Sequence, residues 1–337
     1  MPNDPKPASL TQAIALAQST PSKKQFLSSG RLQAVLLVTA VLVLPIIFVS
    51  FNPMFLAPQN LNSLMRQASV LLLVVAAGTV PILVGSIDLS VGAIVSLSAV
   101  SAALFAQEWG QWAVFLAIPV GALLGFANGI ICAYIRLPSF LVTLGTSFIY
   151  AGIALLLSGG FPVPLTSGPL NPAFRDSLFG VIPLPLVYAL ILWFILILFL
   201  HRTATGRYVY AVGGNEKSAK LSGIRVSWVK TIAFTSSGIL CSAGGILLLF
   251  STTAASVDIG DSYLLPSIAA IVMGGTALSG GQGGAARGIV GVLILVQLTN
   301  GMYILGFPPA SQQIIQGLVV ILAVFLTFER SRSLIVK

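Results

Sequence analysis

Long apolar runs, broken by short polar or glycine- and proline-rich stretches, fill most of the chain. Crossing a hydrocarbon core of ~30 Å takes about 20 helical residues. Runs of roughly that length lie at 33–51, 68–85, 88–107, 112–134, 139–158, 180–201, 228–251, 264–280, 288–305 and 310–328. The pattern predicts ten transmembrane helices, two of which (68–85 and 264–280) are short and interrupted by Gly or Pro. One long polar segment separates the two apolar halves. It runs from His201 to Trp228 and holds Arg202, Arg207, Lys217, Lys220 and Arg225. A Lys or Arg at the centre of a span costs about 2.5–3.5 kcal/mol on insertion scales, so this segment lies outside the lipid.

Composition narrows the class. The chain has 337 residues, 56% of them hydrophobic and 7% charged, and a mean hydropathy of +1.00. A soluble domain carries about 25% charged residues, so the fold class is an all-α polytopic membrane protein. The net charge of +9 follows from where the cations sit. With ten alternating spans and a cytoplasmic N-terminus, only Arg66 and Arg175 of the 17 Lys and Arg residues fall outside. Basic residues concentrate in cytoplasmic loops, so the expectation is that both termini and the loop 202–227 are cytoplasmic. The basic excess is then an orientation signal and not a nucleic-acid patch. The expected parts are an N-terminal segment 1–32, one transmembrane domain 33–329 containing the loop 202–227, and a tail 330–337. The first apolar run exceeds a signal-peptide core and is followed by no small-x-small cleavage site, which makes it an uncleaved helix. Loops 52–67 and 159–179, rich in Pro and Asn, read as ordered outer caps. None of these loops is long enough for a nucleotide-binding or catalytic domain outside the lipid.

Candidate chemistry is sparse. Cys132 and Cys241 sit in apolar runs without metal-ligand spacing and read as packing residues, and no metal site is expected. His201 beside Arg202 reads as a helix-boundary residue. Asp88, in Gly85-Ser-Ile-Asp-Leu-Ser90-Val-Gly92, fits either an N-cap of the third helix or an acid facing an internal cavity. A matching glycine-rich joint covers Gly274–Gly284. Its Gly281-Gln-Gly283-Gly-Ala-Ala286 lacks the strand and the downstream acid of a dinucleotide site, so its glycines serve close helix contact and a tight turn. Asn128, Gln297 and Asn300 are amides inside apolar runs, where each needs a partner or a wet path. Ser90, Thr143 and these amides suit an uncharged polyol better than an ion. Apart from Asp88 the spans carry no acid, and they show no proton-relay chain.

Three motifs resemble the permease subunits of bacterial ABC importers for ribose, xylose and similar monosaccharides, within a group that also includes branched-chain amino acid and nucleoside permeases. Ile87-Asp88-Leu-Ser90-Val-Gly92 is similar to the first-half signature. Ile268 to Gly281 is similar to the second-half signature. Thr205-Gly206-Arg207 through Gly214-Asn215-Glu216-Lys217-Ser-Ala219-Lys220-Leu-Ser-Gly223-Ile224 is similar to the cytoplasmic coupling loop. The resemblance covers about 35–330. Many sugar permeases carry acids shortly after the tyrosine equivalent to Tyr263, where this chain has Leu264, Leu265 and Pro266.

The resemblance implies a permease of the bacterial inner membrane that is not itself an enzyme. It carries no cofactor of its own, because ATP and Mg belong to a partner ATP-binding subunit. A periplasmic solute-binding protein delivers the substrate, a second copy of the permease completes a homodimer, and no nucleic acid is involved. The coupling loop is expected to hold a short helix from Asn215, an N-cap, to about Ser222, with Ala219 seating in a cleft of the ATPase and Lys217 and Lys220 meeting its acids. Asp88, Ser90, Asn128, Thr143 and Asn300 are the expected substrate path. The alternatives within the group are nucleosides and branched-chain amino acids. From other classes, an ion-coupled secondary transporter predicts flux without ATP, and an intramembrane enzyme lacks a metal site or a nucleophile–base pair.

Overall fold

The computed structural model describes residues 23–327. The expected tail 330–337 and most of the expected N-terminal segment 1–32 lie outside the described residues. The chain is a bundle of helices with four two-residue strands. Helix α1 covers Lys23–Phe51, α2 Pro58–Leu83, α3 Val91–Trp109, α4 Ala117–Ile130 and α5 Ser139–Ser158. A short α6, Asn171–Arg175, precedes α7, Leu184–Arg202. The polar segment forms α8, Ala204–Gly214, and α9, Glu216–Leu221. Then come α10, Val226–Thr252, α11, Leu264–Met273, α12, Ala285–Ile304, and α13, Pro309–Thr327.

Seven helical runs among the described residues are long and apolar enough to cross a membrane: α2, α3, Gln111–Ile135 around α4, α5, α7, α10 and α12. Shorter apolar stretches, Leu37–Phe51, Asp261–Met273 and Pro309–Leu322, occupy the places of the other three expected spans. Three boundaries differ by several residues from the hydropathy pattern, the first being the start of α1 at Lys23 and not at 33. Helix α2 begins ten residues before 68, at Pro58. Proline favours the first helical turn, and the polar residues that masked this start have partners in the fold. Helix α11 stops at Met273 instead of 280, because Gly275 turns the chain at φ 79.

Helix α10 is the central element and packs against α4, α2 and α3. Lipid offers little hydrophobic drive for helix association, so close van der Waals contact has to supply it. Glycines allow that contact. A Cβ at Gly125 of α4 would overlap the carbonyl oxygen of Phe234 on α10, and one at Gly238 of α10 would overlap that of Gly121 on α4. By contrast, α5 and α7 turn large apolar side chains outward, with Phe148 73% and Leu156 82% exposed. In a chain with this composition those faces meet lipid. Cys132 and Cys241 are free and buried, as expected of packing residues.

One end of the bundle carries an ordered cap, as loop 159–179 was expected to form. Strand β1, Val163–Pro164, pairs antiparallel with β4, Ala254–Ala255. A hairpin joins β2, Ser177–Leu178, to β3, Ile182–Pro183. Gln111 ties the cap down by donating to Thr166 O at 3.1 Å and accepting from Leu170 N at 2.6 Å. Phe174 of α6 stacks on Phe250 at 4.1 Å between ring centroids. Arg66 of α2 donates to the carbonyls of Phe174 and Arg175, so the two arginines expected outside meet here. The loop expected at 52–67 is largely helical, since its second half is the first turns of α2.

Replacing Gly125 by Val forces α4 and α10 apart, and overpacking of this kind costs about 1–3 kcal/mol. The thermal unfolding midpoint in detergent is expected to fall by several degrees. Gly145→Ala on α5, where nothing lies within 4 Å, is expected to leave it unchanged. Equal midpoints for the two variants would contradict the close α4–α10 contact.

Candidate functional site

Two irregular joints interrupt the bundle near one end, residues 84–90 between α2 and α3 and 274–284 between α11 and α12. Irregular backbone at membrane depth is tolerated only where the protein satisfies its polar groups. In the first joint, Ser86 N donates to Pro81 O at 2.9 Å. Hydroxyls at the start of α5 take the next donors, Ile87 N to Ser139 Oγ at 3.0 Å and Leu89 N to Thr143 Oγ1 at 2.9 Å. In the second joint, Gly284 N donates to Thr276 Oγ1 at 3.1 Å and Ala277 N to Gln282 O at 3.2 Å.

Asp88 is 4% exposed and accepts three hydrogen bonds. Its Oδ1 takes Ser90 N at 3.0 Å and Ser90 Oγ at 2.6 Å, and its Oδ2 takes Ser237 Oγ of α10 at 3.1 Å. Asn128 of α4 donates to Ser90 Oγ at 2.8 Å, and Tyr150 of α5 donates to Asn128 Oδ1 at 2.9 Å. A buried chain of five polar side chains therefore pins the first joint to α4, α5 and α10. The N-cap expectation for Asp88 is corrected. The cap position of α3 is Ser90, two residues on, and no side chain caps it. Asp88 holds the turn before the helix instead.

Of the expected path residues, Asp88, Ser90 and Asn128 share this network, and Thr143 holds the same joint from α5. Asn300 does not join them. It lies toward the other end of α12, in a reciprocal amide pair with Asn60 of α2, both bonds at 2.9 Å. Tyr150 was not singled out from the sequence, and Ser237 stood out only as one of the few polar residues inside apolar runs. One is an aromatic and the other a small hydroxyl within apolar runs, and only the fold brings them to Asn128 and Asp88.

The polar segment 202–227 packs directly on both joints. Thr203 caps α8 by accepting from Gly206 N at 3.0 Å, and Gly206 fits where a Cβ would overlap the carbonyls that end α7. At the far end of α8, Gly213 lies against the Leu83 carbonyl that closes α2, and against Gly281 N. That same carbonyl accepts Gly281 N at 2.9 Å. Gly280 in turn lies against Gly85, and Gly281 against Gly214. Three backbone segments thus meet without side chains between them. Tyr210 adds a bond to Gly283 O at 3.3 Å, and burial pushes its phenol pKa up, so it stays a neutral donor.

The short helix α9 forms where the sequence predicts it, with Asn215 as N-cap accepting from Ser218 N at 2.9 Å. Glu216 pairs with Lys230 of α10 at 2.8 Å. Arg207, Lys217 and Lys220 are exposed, and Gly223 ends the helix at φ 83. The placement of Ala219 is corrected. It is 5% exposed and faces this chain, because α9 needs one small residue to lie flat on its own support. Leu221, 89% exposed, projects instead. His201 ends α7 with Nδ1 3.0 Å from Ile197 O, in keeping with a boundary residue. Among the described residues no three His, Cys, Asp or Glu side chains come together as a metal site would require.

Comparison with known proteins places this architecture. No solved structure matches the chain at a significant level. The chain is 36% identical over 292 residues to the ribose import permease protein of Bacillus subtilis, covering 86% of this chain and 91% of that one. It is 34% identical over 320 residues to the ribose import permease protein of Escherichia coli K12, covering 92% and 98%. With the fructose import permease protein of Rhizobium meliloti it shares 33% over 306 residues, covering 86% and 84%. The profile described as branched-chain amino acid transport system / permease component matches residues 60–324, which include both joints and the whole polar segment, and the chain belongs to that permease family.

Proposed function

We propose that this chain is the membrane-spanning permease of an ATP-driven, binding-protein-dependent importer that moves a monosaccharide across the bacterial inner membrane. What carries the reading is the extent of the likeness to ribose and fructose import permeases, over 86–92% of the chain. The family description mentions branched-chain amino acids, but these relatives are sugar permeases, and the buried polar groups around Asp88 are hydroxyls and an amide. Nucleosides and branched-chain amino acids are therefore not favoured.

In this reading the three shorter apolar helices cross the membrane with the seven long runs, giving ten spans and cytoplasmic termini. The permease domain is 33–329. ATP and Mg are handled by a separate ATP-binding subunit, which docks on 202–227 through Lys217, Lys220, Arg207 and the projecting Leu221. A solute-binding protein delivers sugar to the capped end. Two copies of the chain present two coupling loops to two ATPase subunits. Closure of the ATPase pushes α8 and α9, and the push reaches both joints through Gly213, Gly214, Gly280 and Gly281. Asp88, Ser90, Asn128 and Thr143 form the closed end of the sugar path. Asp88, Ser90 and Asn128 bind one another in this conformation and Thr143 binds the backbone of the joint, and parting the joints frees their hydroxyl and amide groups for sugar hydroxyls. Asn300 with Asn60 lies toward the outer entrance.

Replacing Glu216–Lys220 by a Gly/Ser segment is expected to abolish ATP-dependent uptake of labelled monosaccharide in vesicles while the permease still inserts and stays folded. Undiminished uptake would remove the coupling role. Asp88→Leu strands the Ser90 and Ser237 donors, at about 1–3 kcal/mol per buried orphan. Its detergent melting midpoint is expected to fall well below wild type. Asp88→Asn, which keeps an acceptor oxygen, is expected to fall less, and identical midpoints for both would contradict the pinning role.

A further inference from the structure

A cavity of about 410 Å³ opens where α8, the α9–α10 turn and α10 meet, lined by Tyr208, Ser222, Ile224, Arg225, Trp228 and Val229. It belongs neither to the joints nor to the outward face of α9. Helix α10 has 27 residues, which rise ~40 Å. That exceeds a hydrocarbon core of ~30 Å, so its N-terminal end, with Arg225 as the residue before the first turn, reaches headgroup depth. Tyr and Trp concentrate at that depth. Here Tyr208 is 44% and Trp228 51% exposed. Arg225 brings a guanidinium, which matches phosphate oxygens in a two-pronged fork. No acid lines the cavity. Glu216, the one acid of the segment, is held by Lys230 at 2.8 Å. Arg202, Arg207, Lys217 and Lys220 of the same polar segment are exposed, so the field of the segment favours an anion.

We propose that this cavity seats the headgroup of an anionic phospholipid such as phosphatidylglycerol. Its phosphate meets Arg225, and its glycerol backbone lies against Trp228 and Ile224. The lipid braces the turn between α9 and α10 from the membrane side. This site depends on the membrane placement of α10 and not on the importer reading.

The test uses the full chain, purified in mild detergent and stripped of lipid. Thermal unfolding is followed while phosphatidylglycerol, phosphatidylcholine or inorganic phosphate is added. Phosphatidylglycerol is expected to raise the midpoint, and the other two are not. Arg225→Gln is expected to weaken the response about fivefold, the share of one basic residue at an anionic surface, while Arg207→Gln, outside the cavity, weakens it less. A second readout is independent of any loss of folding in Arg225→Gln. A fluorophore on Ser222→Cys is expected to be quenched by headgroup-spin-labelled phosphatidylglycerol more than by the phosphatidylcholine analogue. Equal response to the two lipids would overturn the proposal, as would full reproduction by phosphate alone or equal loss in both arginine variants. Protection of Ser222→Cys by an ATP-binding subunit, with no lipid effect, would assign the cavity to a protein partner and likewise overturn it.

Discussion

The Leu83 carbonyl sets the constraint on which this architecture rests. It closes α2, accepts the amide of Gly281, and lies directly against Gly213. Inside a bilayer every backbone polar group needs a partner from the protein itself. The end of α2 and the glycine-rich joint after the short α11 therefore need each other's loose ends. Here the end of one joint satisfies the other, and the polar segment closes over both. No residue larger than glycine fits at that contact without moving backbone, so displacement of α8 is transmitted as displacement of the joints.

The rest of the bundle gives that contact something rigid to work against. Helix α10 runs through the centre, held to α4 by interlocked glycines and to the first joint by Ser237 and Asp88. It also meets the polar segment through Lys230 and Glu216. The same helix thus touches the polar segment at one end and the buried polar chain further along. Around this core, α5 and α7 present large apolar side chains to lipid, although α5 also holds the first joint through Ser139, Thr143 and Tyr150. The division between a glycine-locked centre and a lipid-facing rim suits the permease role proposed above.

Much of this was legible in the sequence, because the bilayer imposes strong rules on pattern. Seven of the ten expected apolar runs form helices long enough to cross a membrane, and the polar segment and the two glycine joints appear where pattern and motif place them. The cap at Asn215 and the short helix after it follow from local chemistry alone. What the sequence hid has one common cause, the satisfaction of polar groups by distant partners. Asn60, Asn62 and Arg66 made the start of α2 look like loop, yet Asn60 bonds Asn300, Asn62 bonds Ser177, and Arg66 bonds the carbonyls of the cap. Tyr150 gave no local signal, and Ser237 only that of a polar residue in an apolar run, because their partners come within reach only once α5 and α10 flank the joint. Ala219 looked like a docking residue by its size, and the fold turns it inward and leaves Leu221 outside.

The most direct test of the central claim is transport in proteoliposomes containing this chain, with and without its ATP-binding subunit and solute receptor, and with ion gradients collapsed by ionophores. The account predicts accumulation of labelled monosaccharide only when ATP and both partners are present, and no loss when the gradients are collapsed. Uptake by the chain alone, driven by an ion gradient and indifferent to ATP, would contradict it.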